Sequence, residues 1–152
     1  MKIRIEIDPD LTQEEVIIRA SSITPEVARL QELLTKESSK AHELQCYKDE
    51  REYFIELNDI LFMETSGSFV TVHTRNDMYK VKYKLYELEE LLPAYFVRVA
   101  KSSIVNSRKI YSIERNITGA SEVSFVDTKK VIYVSRGYYK VLQEKLEDRR
   151  YF

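Results

Sequence analysis

The chain has 152 residues, 43% of them hydrophobic, with a formal net charge of −1, a size that suits one domain with at most a small appendage. A single cysteine, Cys46, excludes an internal disulfide framework and fits a reducing compartment. The opening "MKIRIEIDPD" lacks the apolar h-region of a secretion signal, and no run reaches the roughly 18 apolar residues of a membrane span, so a soluble cytoplasmic protein is expected.

In chain order, residues 2–8 alternate charge and isoleucine with period two and predict a half-buried strand. Asp8-Pro9-Asp10 breaks it as a turn, and residues 15–20, "EVIIRA", predict a second strand. Thr24-Pro25-Glu26 reads as a helix start: an N-cap threonine, a proline at the first helical position and an acid in the first turn. Val27, Leu30, Leu33 and Leu34 mark one helical face, and residues 35–43 read as helix end and linker. Residues 1–43 are therefore expected to be a strand–strand–helix unit. The helical face either packs on its own two strands or meets a second protein.

From residue 44 to 152 the pattern changes to short strands and tight turns. "LQCYKD", "EYFIEL", "ILFMET", "FVTVHTR" and "MYKVKY" follow one another at hairpin spacing. Residues 84–92 predict a short helix ended by Pro93. Strands are expected at 96–99, 103–105, 109–115, 121–126 and 131–134, then a helix over 137–149 with Tyr138, Val141, Leu142, Lys145 and Leu146 spaced at three and four.

The usual catalytic signatures are missing. Two histidines, His42 and His73, and one thiol show no metal-ligand spacing, and His73 reads as a solvent-facing or satisfied strand residue. No G-x-S-x-G elbow occurs, and three glycines cannot build a phosphate cradle. No paired general acid and base can be located. The expectation is a protein that is not an enzyme, with no cofactor, no metal and no small-molecule substrate. The tyrosines alternate with aliphatic residues as sheet packing requires, which argues against a stacking platform for single strands.

Charge is unevenly placed along the chain. Residues 1–93 hold 12 Lys/Arg against 19 Asp/Glu, and residues 94–152 hold 12 against 6. That split predicts an anionic partner for the C-terminal part, provided separation in sequence survives in space. Within that part, "YFVRVAKSSIVNSRKI" (95–110) breaks two apolar runs with the small, basic knuckle Ala100-Lys101-Ser102-Ser103. It is either a solvated loop or an edge that projects a cation and a hydroxyl toward phosphate.

Three stretches decide between these readings. "ILFMET", "YKLYELEELLPAYFVRVAKSSIVNSRKIYSIE" and "VIYVSRGYYKVLQEKL", in this order and spacing, resemble the LytTR domain, the mainly β DNA-binding module of bacterial response regulators. The most specific part is Phe96-x-Arg98-x-x-Lys101-Ser102-x-x-Val105-Asn106, followed by Ile110 and by Ser135-Arg136-x-Tyr138. The resemblance covers about residues 45–149. It implies an elongated sandwich of short antiparallel strands with a C-terminal helix, presenting loops and strand ends to successive major grooves.

By the same resemblance, Lys101 is a DNA contact and Arg136, beside Ser135, reads a base edge. Arg98 and Ser102 fit phosphate contacts, and Ser66, Gly67 and Ser68 form the first DNA-facing loop. Asn106 and Val105 fit the framework, with the asparagine bonding backbone. Ala100 stands where the family often has histidine, and the first loop carries no base-reading cation. The implied partners are double-stranded DNA, bound as a homodimer or by copies in tandem on direct repeats, and a membrane-bound regulatory protein in place of a receiver domain. The alternative is a protein-interaction module of a regulatory pair that does not itself bind DNA.

Overall fold

The computed structural model describes residues 1–38 and 42–149, and the chain divides into two compact units, Met1–Ser38 and Ser39–Phe152. In the first unit, helix α1 (Pro25–Ser38) begins as its sequence predicts, with Val27 N–H donating to Thr24 Oγ1 at 3.2 Å. Asp8 to Asp10 is a turn closed by Asp10 N–H on Asp8 Oδ1 at 3.0 Å. Residues 2–8 and 15–20, each expected as a strand, form no strand. Their side chains are exposed, and α1 buries none of its residues. In the first unit no packed layer covers their apolar side chains.

The second unit carries the strands. β1 (Glu43–Lys48) and β2 (Arg51–Glu56) form a hairpin whose two-residue turn, Asp49-Glu50, has φ of 51° and 62°. They join β3 (Ile60–Ser66), β4 (Phe69–Thr74), β5 (Met78–Val81), β6 (Phe96–Ala100) and β7 (Ser103–Asn106) in an antiparallel sheet of order β2-β1-β5-β4-β3-β7-β6. β8 (Ile110–Glu114), β9 (Ser121–Phe125) and β10 (Val131–Val134) make a second antiparallel sheet of order β10-β9-β8. Two short helices complete it, α2 (Leu85–Leu91) and α3 (Tyr139–Asp148).

Period-two alternation in the middle strands explains the layering. Val70, Val72, Met63, Phe96 and Ile104 point into a core shared with Leu44 and Cys46 of β1 and with Leu85, Leu88 and Leu92 around α2. Phe62, Val97, Val99 and Val105 point into a second core with Val123, Phe125, Ile132 and Val134 of the smaller sheet and Leu142 of α3. The middle strands are thus buried on both faces. Burial pushes the Cys46 thiol up to about 12, so it behaves as a small apolar side chain. Val141 shares the three-and-four spacing of α3 but is 46% exposed. The helix instead turns Tyr138, Tyr139, Leu142 and Leu146 inward.

Asn106, 1% exposed, ties the sheet to the entry of β3. Its Nδ2 donates to Ile60 O at 2.9 Å and Leu57 O at 3.5 Å, and its Oδ1 accepts from Arg108 N–H at 3.0 Å. The asparagine bonds backbone, as expected of a framework residue. Arg149, at the end of α3, donates to Ser107 O at 2.6 Å and to Ile110 O at 3.1 Å, holding the last helix against the start of β8.

Candidate nucleic-acid interface

β6 and β7 are joined by the two-residue turn Lys101-Ser102. The register shifts between Arg98 and Ala100, a bulge that turns the end of β6. Three successive carbonyls would be left bare at such a turn, and each has a donor. Arg98 Nε donates to Ala100 O at 2.8 Å, and its Nη2 donates to Lys101 O. Thr65 N–H donates to Ser102 O at 2.8 Å. The remaining guanidinium nitrogen, Nη1, pairs with Glu89 of α2. Arg98, expected to contact phosphate, is therefore a clamp inside the protein, with its side chain 24% exposed. What the clamp holds outward is Lys101 and Ser102, both exposed, while Ser103 is buried at the head of β7.

Two other segments meet this knuckle. The β3–β4 hairpin turns at Gly67-Ser68 with Ser66 paired to Phe69. Gly67 has φ of +65°, a left-handed conformation that any other L-residue adopts with strain. On the other side, the chain leaving β10 is tied to β6 by Ser135 N–H donating to Val99 O at 2.8 Å. A 3₁₀ turn, Arg136–Tyr138, follows at once and carries Arg136 at its exposed start. Residues 66–68, 101–102 and 135–136 thus share one end of the middle sheet, joined by backbone hydrogen bonds. Among the described residues, no hydrogen bond or ion pair holds Lys101 Nζ or the Arg136 guanidinium.

The structure adds cations that the sequence analysis did not single out. A cavity of about 690 Å³ opens beside the knuckle and is lined by Gly67, Ser68 and Lys101 together with Lys80, Lys82 and Lys84. Lys80 Nζ lies 4.2 Å from the Phe69 ring centroid, and Lys82 Nζ lies 4.4 Å from that of Tyr47. Aromatic faces hold such ammonium groups without neutralising them. The signal was present in "YKVKYK", where lysine recurs at every second position from 80 to 84. The count by halves hid it, since these three lysines belong to the acidic part of the sequence. The end of the sheet gathers cations from both parts.

Chemically, this end offers lysines and one arginine for phosphate oxygens or guanine edges, and hydroxyls from Ser66, Ser68 and Ser102. Among the described residues, no group of three His, Cys, Asp or Glu side chains is placed to hold a metal ion. Among the described residues, each α-helix is separated from the next by strands, and no two consecutive helices form a helix–turn–helix pair.

Comparison with known proteins yields four findings. Residues 50–147 match the family described as the LytTr DNA-binding domain. An uncharacterised HTH-type transcriptional regulator of Staphylococcus aureus strain bovine RF122 / ET3-1 is 31% identical over 146 residues, 96% of this chain and 98% of that protein. A counterpart in Staphylococcus aureus strain NCTC 8325 / PS 47 is 30% identical over the same length, with the same coverage of both chains. Among solved structures, the LytTr DNA-binding domain of a methyl-accepting/DNA response regulator from Bacillus cereus superposes with a TM-score of 0.64 at 21% identity, covering 70% of this chain and 97% of that one.

Proposed function

The chain belongs to the LytTR DNA-binding domain family, and from that premise we propose that it is a sequence-specific transcriptional regulator that meets duplex DNA with the sheet end formed by residues 66–68, 101–102 and 135–136. The observation that carries this reading is the convergence of three chain segments on one end of the sheet, with Lys101 and Arg136 exposed and engaged by no protein acceptor among the described residues. In this reading Arg136 reads a base edge, for which a bidentate guanidinium on guanine is the commonest geometry. Lys101 and Ser102 contact the backbone or an adjacent base, and the Ser66-Gly67-Ser68 turn approaches the phosphates closely because it carries no bulk. Arg98 acts by holding the knuckle in shape. Lys80, Lys82 and Lys84 extend the cationic track along the same end, where each neutralised phosphate releases counterions. Two copies bind direct repeats on one face of the duplex.

Selection of bound sites from random duplex DNA, at stated salt, tests the proposal. A recovered tandem repeat with a fixed spacing is the expected outcome. Recovery of no enriched sequence, at a salt concentration where nonspecific binding is still measurable, overturns it. The result would then favour a protein-interaction module whose apolar first unit serves another partner.

A further inference from the structure

The first unit exposes an unusual amount of apolar surface. Ile3, Ile5 and Ile7 are 85%, 84% and 90% exposed, and Val16 and Ile17 are 72% and 62% exposed. An unpaired segment with three isoleucines in alternation is an open template for another strand. We propose that its partner is a second copy of this chain, and that residues 2–8 of the two copies pair antiparallel about Ile5.

Charge order along the segment carries the proposal. In extended conformation Lys2, Arg4, Glu6 and Asp8 share one face and Ile3, Ile5 and Ile7 the other. Arg4 and Glu6 reach one another at 3.0 Å along the single chain, as neighbours on one face should. Antiparallel pairing centred on Ile5 sets Lys2 opposite Asp8 and Arg4 opposite Glu6, with Ile3 opposite Ile7 and Ile5 opposite its own copy. Every charged residue meets its opposite and every isoleucine meets an isoleucine. Opposite charges directly across an antiparallel pair stabilise it, and like charges disrupt it.

Pairing with residues 15–20 of the same chain lacks this match. One register that opposes isoleucines, Ile3 with Ile18 and Ile5 with Val16, sets Lys2 opposite Arg19 and Glu6 opposite Glu15. The next, Ile5 with Ile18 and Ile7 with Val16, sets Arg4 opposite Arg19 and Asp8 opposite Glu15. A hairpin between these two segments would therefore put like charges across from one another, consistent with the missing strands. Residues 15–19 instead match their own copy about Ile17, with Glu15 opposite Arg19 and Val16 opposite Ile18. Two segments of one unit, each self-complementary about its centre, are what a two-fold assembly requires.

The proposal stands apart from DNA recognition, so Lys101→Ala leaves the assembly unchanged. Sedimentation equilibrium on the full chain tests it with two charge-reversed variants, K2E/R4E and E6K/D8K. Neither alters a buried residue. Wild type is expected to sediment as a dimer. Each variant alone is expected to self-associate at least tenfold more weakly, and an equimolar mixture of the two to recover the dimer. Register is tested by disulfide capture between copies. Ile5→Cys is expected to cross-link with itself, and Ile3→Cys only when mixed with Ile7→Cys. A monomeric wild type, a variant that associates as wild type does, a mixture no better than its components, or Ile3→Cys cross-linking alone as readily as Ile5→Cys overturns the proposal.

Discussion

The two ends of the middle sheet are each fastened by cations, and they differ in what the fastening holds outward. At the end formed by the β4–β5 turn, Lys48 Nζ pairs with Asp77 Oδ1 at 2.6 Å, and Lys130 Nζ donates to Thr74 O at 2.8 Å and to Asp77 O at 2.5 Å. Thr128 adds a hydroxyl bond to Arg75 O at 3.1 Å, so the β9–β10 turn is sewn to the β4–β5 turn. The Lys48 bond holds the Asp77 carboxyl below its usual range, and burial lowers Lys130. At the other end Arg98 takes the fastening role. The carbonyls are satisfied by Arg98 and by backbone N–H groups, and Lys101 and Arg136 are left to the solvent. Both ends fasten a turn with a cation, Lys130 at one and Arg98 at the other, and the second also presents Lys101 and Arg136. The presence of lysine or arginine in a loop does not tell which role it takes; the nearby acceptors do.

The sharpest attempt to break that contrast acts on the presenting end. Arg136→Ala should cost about 1–3 kcal/mol of discrimination between the selected site and a single-base variant, measured by competition binding, while thermal unfolding stays as in wild type. Combined with Lys101→Ala, total affinity should fall further and the salt dependence should flatten by about one charge. Unchanged affinity for DNA in the double variant would remove both residues from the interface.

The fastening end should answer the other way. Lys130→Met leaves two carbonyls without their charged donor and should lower stability by about 2 kcal/mol in denaturant titration, given that hydrogen bonds to charged groups are worth about 1.5–3 kcal/mol. DNA affinity should not change. A variant that binds less well but unfolds as wild type does would show that this end also faces DNA.

His73 supplies a pH handle on the same region. Its ring stacks on Phe62 with centroids 4.3 Å apart, Nε2 meets Glu64 Oε1 at 3.1 Å, and Nδ1 is buried without a partner. Burial, then the nearby Lys130 charge, lower its proton affinity below the ordinary 6.5, and Glu64 opposes them. With a folded value below the unfolded one, the neutral ring's contribution is intact above pH 6.5 and is lost as pH falls through the folded value. Melting temperature should therefore decline between neutral and mildly acidic pH, before the Asp77 carboxylate, held below 3.8, begins to titrate. His73→Gln should flatten that slope; an unchanged slope would assign it to another group.

The smallest expected effect belongs to the lysine track. Lys80→Ala or Lys84→Ala should weaken binding uniformly across sequences and reduce the salt slope by about one each, without altering which base is preferred.

Much of the second unit was legible from alternation. The ten strands fall near the apolar runs that predict them, Pro93 follows the end of α2, and Asn106 bonds backbone as a framework residue. What alternation could not supply was the difference between Arg98 and Arg136. Both are arginines near strand ends, and only the three-dimensional placement of Glu89 and of the knuckle carbonyls commits the first. Lys80, Lys82 and Lys84 were missed for a related reason, since a tally along the sequence cannot see two turns brought together by β3–β4–β5 pairing. In the first unit alternation misled outright. It reported that residues 2–8 suit a strand but not what they would pair with.

The bonds Thr65–Ser102 and Ser135–Val99 draw together positions far apart along the chain. Contacts of such long separation form slowly, because the loops between them must close first. The cationic end cannot be complete until Ser135 and Arg136 have been synthesised. A ribosome-bound chain released before Ser135 would carry a nearly complete sandwich and no finished surface to offer.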